Sequence, residues 1–303
     1  MGPFMLKLTL AYRLLRVLLQ LILGMATCAL LFPWLGQAAR NRHIRRWSRR
    51  LLGICGVHVA PGVSSALLHA MVVSNHVSWL DIFVINALHP CRFVAKAEIR
   101  AWPILGWLAA KAGTVFIARG QRRDLRQLFQ GLVHSLEAGE RIAFFPEGTT
   151  AAQGQLLPFH ANLFEAAIDA RVPVQAFAVS YVDARGQPHR AVEFIGDTSF
   201  AQSMVTILCG PPITARLVCL PAIDTLGAHR RDVAQAAYSA VAAELGIAPY
   251  QDRAEPGSRC IKHQASSIKH QASSIKHQAM DGLRYCGQST CSSVRCCSST
   301  ADS

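Results

Sequence analysis

Charge is scarce in this chain, and negative charge is scarcest. Only 16% of the 303 residues are Asp, Glu, Lys or Arg, against ~25% in ordinary soluble domains, and 31 Lys and Arg outnumber 18 Asp and Glu. With 51% apolar residues, a disordered chain is excluded. There is no C-x-x-C pair, which removes the commonest zinc and redox signatures. There is no G-x-S-x-G elbow either, so the usual serine nucleophile of a lipid hydrolase is missing. Residues 1–50 hold nine basic residues and no acid, residues 51–258 hold sixteen of each sign, and residues 259–303 hold six basic and two acidic. The net charge of +13 therefore belongs to the two ends. A neutral middle excludes nucleic-acid binding by a basic folded domain.

The missing acid at the start accompanies a long apolar run. Val17 to Leu35 contains no charge, and as a helix it extends ~28 Å, about one bilayer core. Arg13 and Arg16 precede it, and Arg40, Arg42, Arg45, Arg46, Arg49 and Arg50 follow it. The heavier flank predicts that the rest of the chain lies on the cytoplasmic face of the cell membrane. A shallow helical hairpin with both ends on one side fits the same residues. A cleaved signal peptide fits them poorly, because the run is long and strongly basic beyond its end. Ile44, Trp47 and Leu51 then recur at helical spacing among arginines, as in a helix lying in a headgroup layer or an ordinary surface helix. Residues 1–52 are thus expected to form an apolar and amphipathic membrane arm, with a partner in anionic membrane lipid.

Beyond it, short apolar runs alternate with helical patterns. Strands are predicted at 70–74, 92–96, 114–118, 141–145, 174–182, 191–195 and 215–220. Leu125, Leu128, Phe129, Leu132, Val133 and Leu136 define a helical face that begins near Asp124 and ends at Gly139. Further helices are expected at about 79–88, 161–170, 199–208 and 228–245. The fold class is α/β, a mostly parallel sheet flanked by helices, occupying residues 53–250. Cys28, Cys55, Cys91, Cys209 and Cys219 stand singly in apolar surroundings and read as small buried side chains.

Function in such sheets gathers at loops leaving the carboxyl ends of strands. After AMVVS comes NHVSWLD, with His76 at a strand exit and Asp81 five residues on. An imidazole with a carboxylate in reach is the minimum for general-base catalysis. Ser78 and Asp81 equally make an S-x-x-D capping box. After RIAFF comes PEGTT, presenting Glu147 and Gly148. Arg119 ends TVFIA, where a guanidinium suits a phosphate or simply a solvated strand end.

NHVSWLD, GTVFIAR, FPEGTT and VPV, in this order, resemble the four sequence blocks of the glycerolipid acyltransferases. FVAKAEIRAWPILGWLAAKAG and LLPFHANLFEAA lie between blocks and are similar to that family too, so the likeness covers about residues 10–250. The resemblance implies transfer of a fatty acyl group from acyl-CoA or acyl carrier protein onto a glycerol hydroxyl, with no metal or cofactor. It implies that His76 is the general base and Asp81 its orienting carboxylate. Arg119 would hold the acceptor phosphate, Lys96 would lie near it, and Glu147, Gly148, Thr149 and Thr150 would complete acceptor binding. The fourth block departs from the family, since Val172, Pro173 and Val174 run on into Gln175 and Ala176 without the usual proline. Another lyso-lipid acceptor, such as lyso-ornithine lipid, and a non-catalytic membrane-surface protein are the rival readings.

IKHQASS occurs at 261–267 and 268–274, and IKHQA at 275–279. One isoleucine in seven residues makes no coiled-coil seam. Residues 251–303 are therefore expected to be a low-complexity, disordered tail, and its histidines and cysteines lack a recognised metal-ligand spacing.

Overall fold

The computed structural model describes residues 3–60, 66–117 and 122–248. Arg119 and the repeated tail lie outside them. The chain begins with helix α1 (Pro3–Ala26), stays helical through a π-helical segment (Thr27–Leu31) and a 3-10 turn (Phe32–Trp34), reverses at Leu35 and Gly36, and returns as α2 (Gln37–Ile54). The uncharged run is therefore the later part of one long helical segment, and the reversal follows it. Pro33 stands in the last turn before the reversal, and Arg40 closes it by donating from Nε and Nη2 to the Phe32 carbonyl at 3.0 and 2.6 Å. Gly24 permits the close approach of the two helices, since a Cβ there would fall 2.6 Å from Trp47 Nε1. The Trp47 indole donates to the Gln20 carbonyl at 2.9 Å, and the Gln20 amide donates to the Trp47 carbonyl at 3.1 Å.

Seven strands follow: β1 (Val57–Val59), β2 (Met71–Ser74), β3 (Arg92–Lys96), β4 (Val115–Ile117), β5 (Ile142–Phe144), β6 (Val174–Val182) and β7 (Ile213–Ile223). Their order in one sheet is β1-β7-β6-β2-β5-β3-β4, and every pair is parallel except β6 with β7. The remaining helices are α3 (Leu80–Leu88), α4 (Leu105–Lys111), α5 (Arg122–Glu137), α6 (Glu165–Asp169), α7 (Phe200–Cys209) and α8 (Arg230–Leu245). The sheet is mostly parallel and flanked by helices, as its near-continuous Val, Ile and Phe runs imply for strands buried on both faces.

Alternate residues of the central strands feed two cores. Val72, Phe177, Val179 and Tyr181 point into one, with Val17 of α1, Leu51 and Leu52 of α2, Val84 and Ile85 of α3 and Ile207 of α7. Met71, Val73, Phe144 and Ala176 point into the other, with Leu132 and Leu136 of α5, Ala166 and Ala167 of α6 and Val241 of α8. The amino-terminal helices thus pack as a layer of the same core. Arg13 ties α1 to α7 by donating to the Leu208 carbonyl at 2.5 Å, while Leu15, Leu18, Leu19, Ile22 and Leu23 stay exposed.

Several sequence expectations need correction. Residues 191–195 form no strand; Arg190–Val192 is a 3-10 turn, and of the apolar side chains that suggested a strand Val192 is fully buried while Ile195 is exposed. The helix expected at about 161–170 is present, its first turn 3-10 (Ala161–Phe164) and the rest α6 (Glu165–Asp169). Strand β1 and helix α4 were not expected, the first because three residues show too little alternation, the second because Pro103 and Gly106 read as breakers. Where the fourth block lacks its proline, Gln175 joins strands: its Oε1 accepts the Leu67 N–H at 2.8 Å and its amide donates to the Leu220 carbonyl at 3.2 Å, beside a bulge between Gln175 and Phe177.

Because Val17 is 5% and Leu18 51% exposed, neighbouring substitutions on α1 are expected to differ sharply. Val17→Asp buries an unpaired carboxylate and should cost several kcal/mol. Leu18→Ser should stay within about 0.5 kcal/mol. Thermal unfolding of both variants in detergent checks this, and equal melting temperatures would refute the shared core.

Candidate active site

Strands β2 and β5 are neighbours, but the loop after β2 leads to α3 on one face of the sheet and the loop after β5 leads to α6 on the other. In open α/β sheets, ligands bind where successive connections leave to opposite faces. Both motif loops meet there. Asn75 extends the ladder where β2 ends, its amide donating to the Val179 carbonyl at 2.9 Å and its Oδ1 accepting the Val179 N–H at 2.8 Å. The chain beyond is then free to turn, and His76 comes next.

The His76 ring faces the Asp81 carboxylate, with Nδ1 2.8 Å from Oδ2. It stacks on Phe145 at 3.9 Å and 9° between planes. The side chain is 18% exposed while Asp81 is wholly buried. A carboxyl group stripped of water needs hydrogen-bond partners, and Asp81 has four. Oδ2 also accepts the Val77 and Ser78 N–H groups at 2.7 and 2.9 Å, and Oδ1 accepts the Tyr181 hydroxyl at 2.6 Å. The capping-box and catalytic readings of Asp81 are therefore compatible. Its carboxylate caps the Ser78 N–H and also fixes the imidazole, while Trp79, the residue before α3, makes no side-chain cap.

Tyr181 is the member of this network that sequence reasoning missed. It lies on β6, one hundred residues from Asp81, and is fully buried. Burial and the Asp81 charge push its phenol well above the ordinary range, so it stays a donor. The signal in the sequence was weak, since VQAFAVSYV offers Gln175 and Ser180 as polar members beside Tyr181.

The second motif loop is bound to the first through backbone. Glu147 Oε1 accepts the His76 N–H at 2.7 Å and Oε2 accepts the Leu157 N–H at 2.8 Å, while the His76 carbonyl accepts the Ala151 N–H at 2.8 Å. Glu147 is buried, and burial drives its pKa up to about 7 against the lowering effect of these two N–H donors, with Asp81 adding a smaller upward push. Gly148 turns with φ +70°, donating its N–H to the Phe145 carbonyl at 3.1 Å. The Thr150 hydroxyl donates to the Phe194 carbonyl, whose own N–H donates to the Val77 carbonyl at 3.1 Å, so the segment expected as a strand clasps both loops. Thr149 is exposed, and Lys96 is exposed at the end of β3, on the same edge of the sheet. Arg119 lies outside the described residues, so its position relative to His76 is not part of this geometry.

Comparison with known proteins adds to this picture. A family profile described as Acyltransferase matches residues 64–180. A lyso-ornithine lipid O-acyltransferase from Pseudomonas aeruginosa is 38% identical over 216 residues, 71% of this chain and 83% of that protein. A 1-acyl-sn-glycerol-3-phosphate acyltransferase from Neisseria meningitidis is 41% identical over 151 residues, 49% of this chain and 59% of that protein. Among solved structures, the 1-acyl-sn-glycerophosphate acyltransferase of Thermotoga maritima shares the fold with a TM-score of 0.57 at 21% identity, over 83% of this chain and all of that one.

The raised Glu147 pKa has a definite sign in stability. A carboxyl near 4.3 when unfolded and about 7 when folded binds its proton more tightly in the native state. It therefore stabilises the fold below about pH 4.3, and that contribution, on the order of 3 kcal/mol, fades as pH rises to 7. Glu147→Gln should flatten the fall in melting temperature between about pH 4.5 and 7 while lowering stability at all pH. An unchanged slope would place the titration elsewhere.

Proposed function

The chain belongs to the acyltransferase family, and from that premise we propose that it transfers a fatty acyl group from a thioester to the free hydroxyl of 1-acylglycerol-3-phosphate, yielding phosphatidate. The observation that carries the mechanism is the His76–Asp81 pair, closed at 2.8 Å on the Nδ1 side with the ring held flat against Phe145. Nδ1 bears the proton that faces the carboxylate, which leaves Nε2 as the base. Nε2 takes the hydroxyl proton as the acceptor oxygen attacks the thioester carbonyl carbon. The buried carboxylate stabilises the imidazolium that forms. The tetrahedral intermediate then collapses, the carbon–sulfur bond breaks, and the leaving thiolate takes the proton back from His76. Acyl-CoA and acyl carrier protein both deliver such a thioester, and no metal or cofactor has a part in these steps.

Tyr181 and Glu147 are positioning residues in this reading. Tyr181 holds the far oxygen of Asp81, and Glu147 fixes the backbone on which His76 stands. Arg119 and Lys96 are assigned to the acceptor phosphate by their motif positions, with Gly148, Thr149 and Thr150 beside it. The exposed leucines and isoleucine of α1 support attachment to the bilayer through residues 1–52, followed by the catalytic domain at 53–250. The arginines of α2 favour the cytoplasmic face and anionic lipid. A helix packed against α2 and α7 along one side suits a hairpin dipping into one leaflet, although Lys7–Trp34 is long and apolar enough to cross a membrane.

A second acceptor has an observation in its favour. The Pseudomonas relative, which this chain covers more fully than the Neisseria one, is named for lyso-ornithine lipid. Purified enzyme offered both lyso-lipids with acyl-CoA and with acyl carrier protein separates the readings. Phosphatidate formation at least tenfold above the ornithine product is the expected result, and the reverse ratio would transfer the function to the second acceptor.

His76→Ala should cut kcat by about 10² to 10⁴ with the fold preserved, and Asp81→Asn should do likewise by reversing the donor at Nδ1. Near-normal kcat in His76→Ala would remove the base. Tyr181→Phe should lower kcat modestly with KM little changed, because Asp81 loses the donor that holds its far oxygen in place. A melting temperature that falls while kcat and KM stay put would reduce Tyr181 to a packing residue.

A further inference from the structure

A second apolar surface lies outside the amino-terminal hairpin. The 3-10 turn Ala97–Ala101 ends at Trp102, and α4 begins at Leu105. Between them Ile104 has φ 62° and ψ −57°, and the Leu105 N–H donates to the Pro103 carbonyl at 2.6 Å. This is a three-residue turn of the rare, strained hand. A β-branched residue seldom adopts positive φ, and glycine would make the same turn without strain. Gly106 braces the reversal from behind, for a Cβ there would fall 2.3 Å from the Arg100 carbonyl oxygen and 2.6 Å from that of Ile99.

The strained turn exposes what a soluble loop would hide. Trp102 and Ile104 are 41% exposed and Trp107 is 40% exposed. Two cations belong to the same stretch: the Lys111 ammonium lies 5.7 Å from the Trp107 ring centre, and the Arg100 guanidinium lies 5.9 Å from the ring centre of Phe116 on β4. Glu98 is the exposed carboxylate of the same stretch, and among the described residues neither Arg100 nor Lys111 is in an ion pair. Indoles beside uncompensated cations are the composition of a membrane interface.

A chain of ring contacts gives this surface its place. Trp102 meets Phe200 edge-on at 5.9 Å, and Phe200 meets Trp79 at 5.1 Å, three residues past His76. Apolar side chains thus run from the turn to the loop that carries His76, and the end of the amino-terminal apolar helix exposes Leu30, Leu31 and Trp34 as well.

We propose that the Trp102–Trp107 turn is a second membrane contact, its indoles and Ile104 seated among the headgroups of an anionic phospholipid bilayer, with Arg100 and Lys111 meeting lipid phosphates. The proposal rests on the reading of α1 as the bilayer anchor and adds a function to a segment outside that anchor. The turn brings the catalytic crevice down to the surface, so that a lysolipid in the bilayer reaches His76 without crossing water. Backbone strain at Ile104 is the cost of presenting an apolar tip where glycine would present none.

The test uses detergent-solubilised full-length enzyme diluted into phosphatidylcholine vesicles with and without 30% phosphatidylglycerol. Three forms are compared: the triple variant Trp102→Ser, Ile104→Ser, Trp107→Ser; the single variant Ile104→Gly; and an α1 variant, Leu15→Ser, Leu19→Ser, Ile22→Ser. The triple variant is expected to partition about tenfold less onto anionic vesicles and to lose a similar factor of activity on vesicle-borne acceptor. Its rate on a short-chain acceptor dispersed as monomers should stay within twofold. Ile104→Gly should bind vesicles more weakly yet melt at a higher temperature. Unchanged partitioning of the triple variant, or equal loss on both acceptors, overturns the proposal. So does an intact vesicle affinity with a raised KM for acyl carrier protein thioester, which would make the turn a donor-protein dock. If the α1 variant alone keeps full partitioning, the anchor reading fails and the turn stands; if only the α1 variant loses it, the turn fails and the anchor stands.

Discussion

The Asp81 carboxyl group is removed from water, and the site is built around filling its hydrogen-bonding capacity. Burying such a group is costly unless its oxygens are paired, and here they are paired with an imidazole, two backbone amides and a buried phenol. Each donor comes with a structural obligation. The amides fix the turn that starts α3, the phenol ties the first turn of α3 to β6, and the imidazole is held in one tautomer. One buried carboxyl group thus joins the loop after β2, the start of α3 and β6.

A second constraint links the loops to one another. His76 is held through its own N–H and carbonyl by Glu147 and Ala151, so the FPEGTT loop supports the NHVSWLD loop from below. A carboxylate with both oxygens on backbone N–H groups is poorly placed to reach a substrate. Its burial, which raises its pKa to about 7, follows from standing behind the histidine. The resemblance assigns Glu147 to acceptor binding, whereas its contacts favour action through the His76 backbone, leaving the exposed Thr149 hydroxyl beside the crevice.

The amino-terminal helices are integral to the folded body. Val17 shares a core with Leu52 and Ile207, and Trp47 and Gln20 exchange hydrogen bonds across the hairpin. Each of these helices is divided into a face packed on the core and a face left outside, leucines on α1 and arginines on α2. The same division recurs at Trp102, whose ring is half packed on Phe200 and half exposed.

What the sequence determined is what local chemistry determines. Alternating apolar runs located most strands because side-chain direction has a fixed period, and NHVSWLD indicated that His76 and Asp81 meet because five residues across one strand exit cannot carry them far apart. The helical face around Leu132 was equally legible. What only the tertiary structure decided depends on which strands lie side by side. Tyr181 reaches Asp81 because β6 neighbours β2, Glu147 turns toward the His76 backbone because β5 neighbours β2 on the other side, and residues 191–195 become a clasp because both loops needed covering. Sheet order joins residues seventy to one hundred positions apart, and no spacing within a single segment records that.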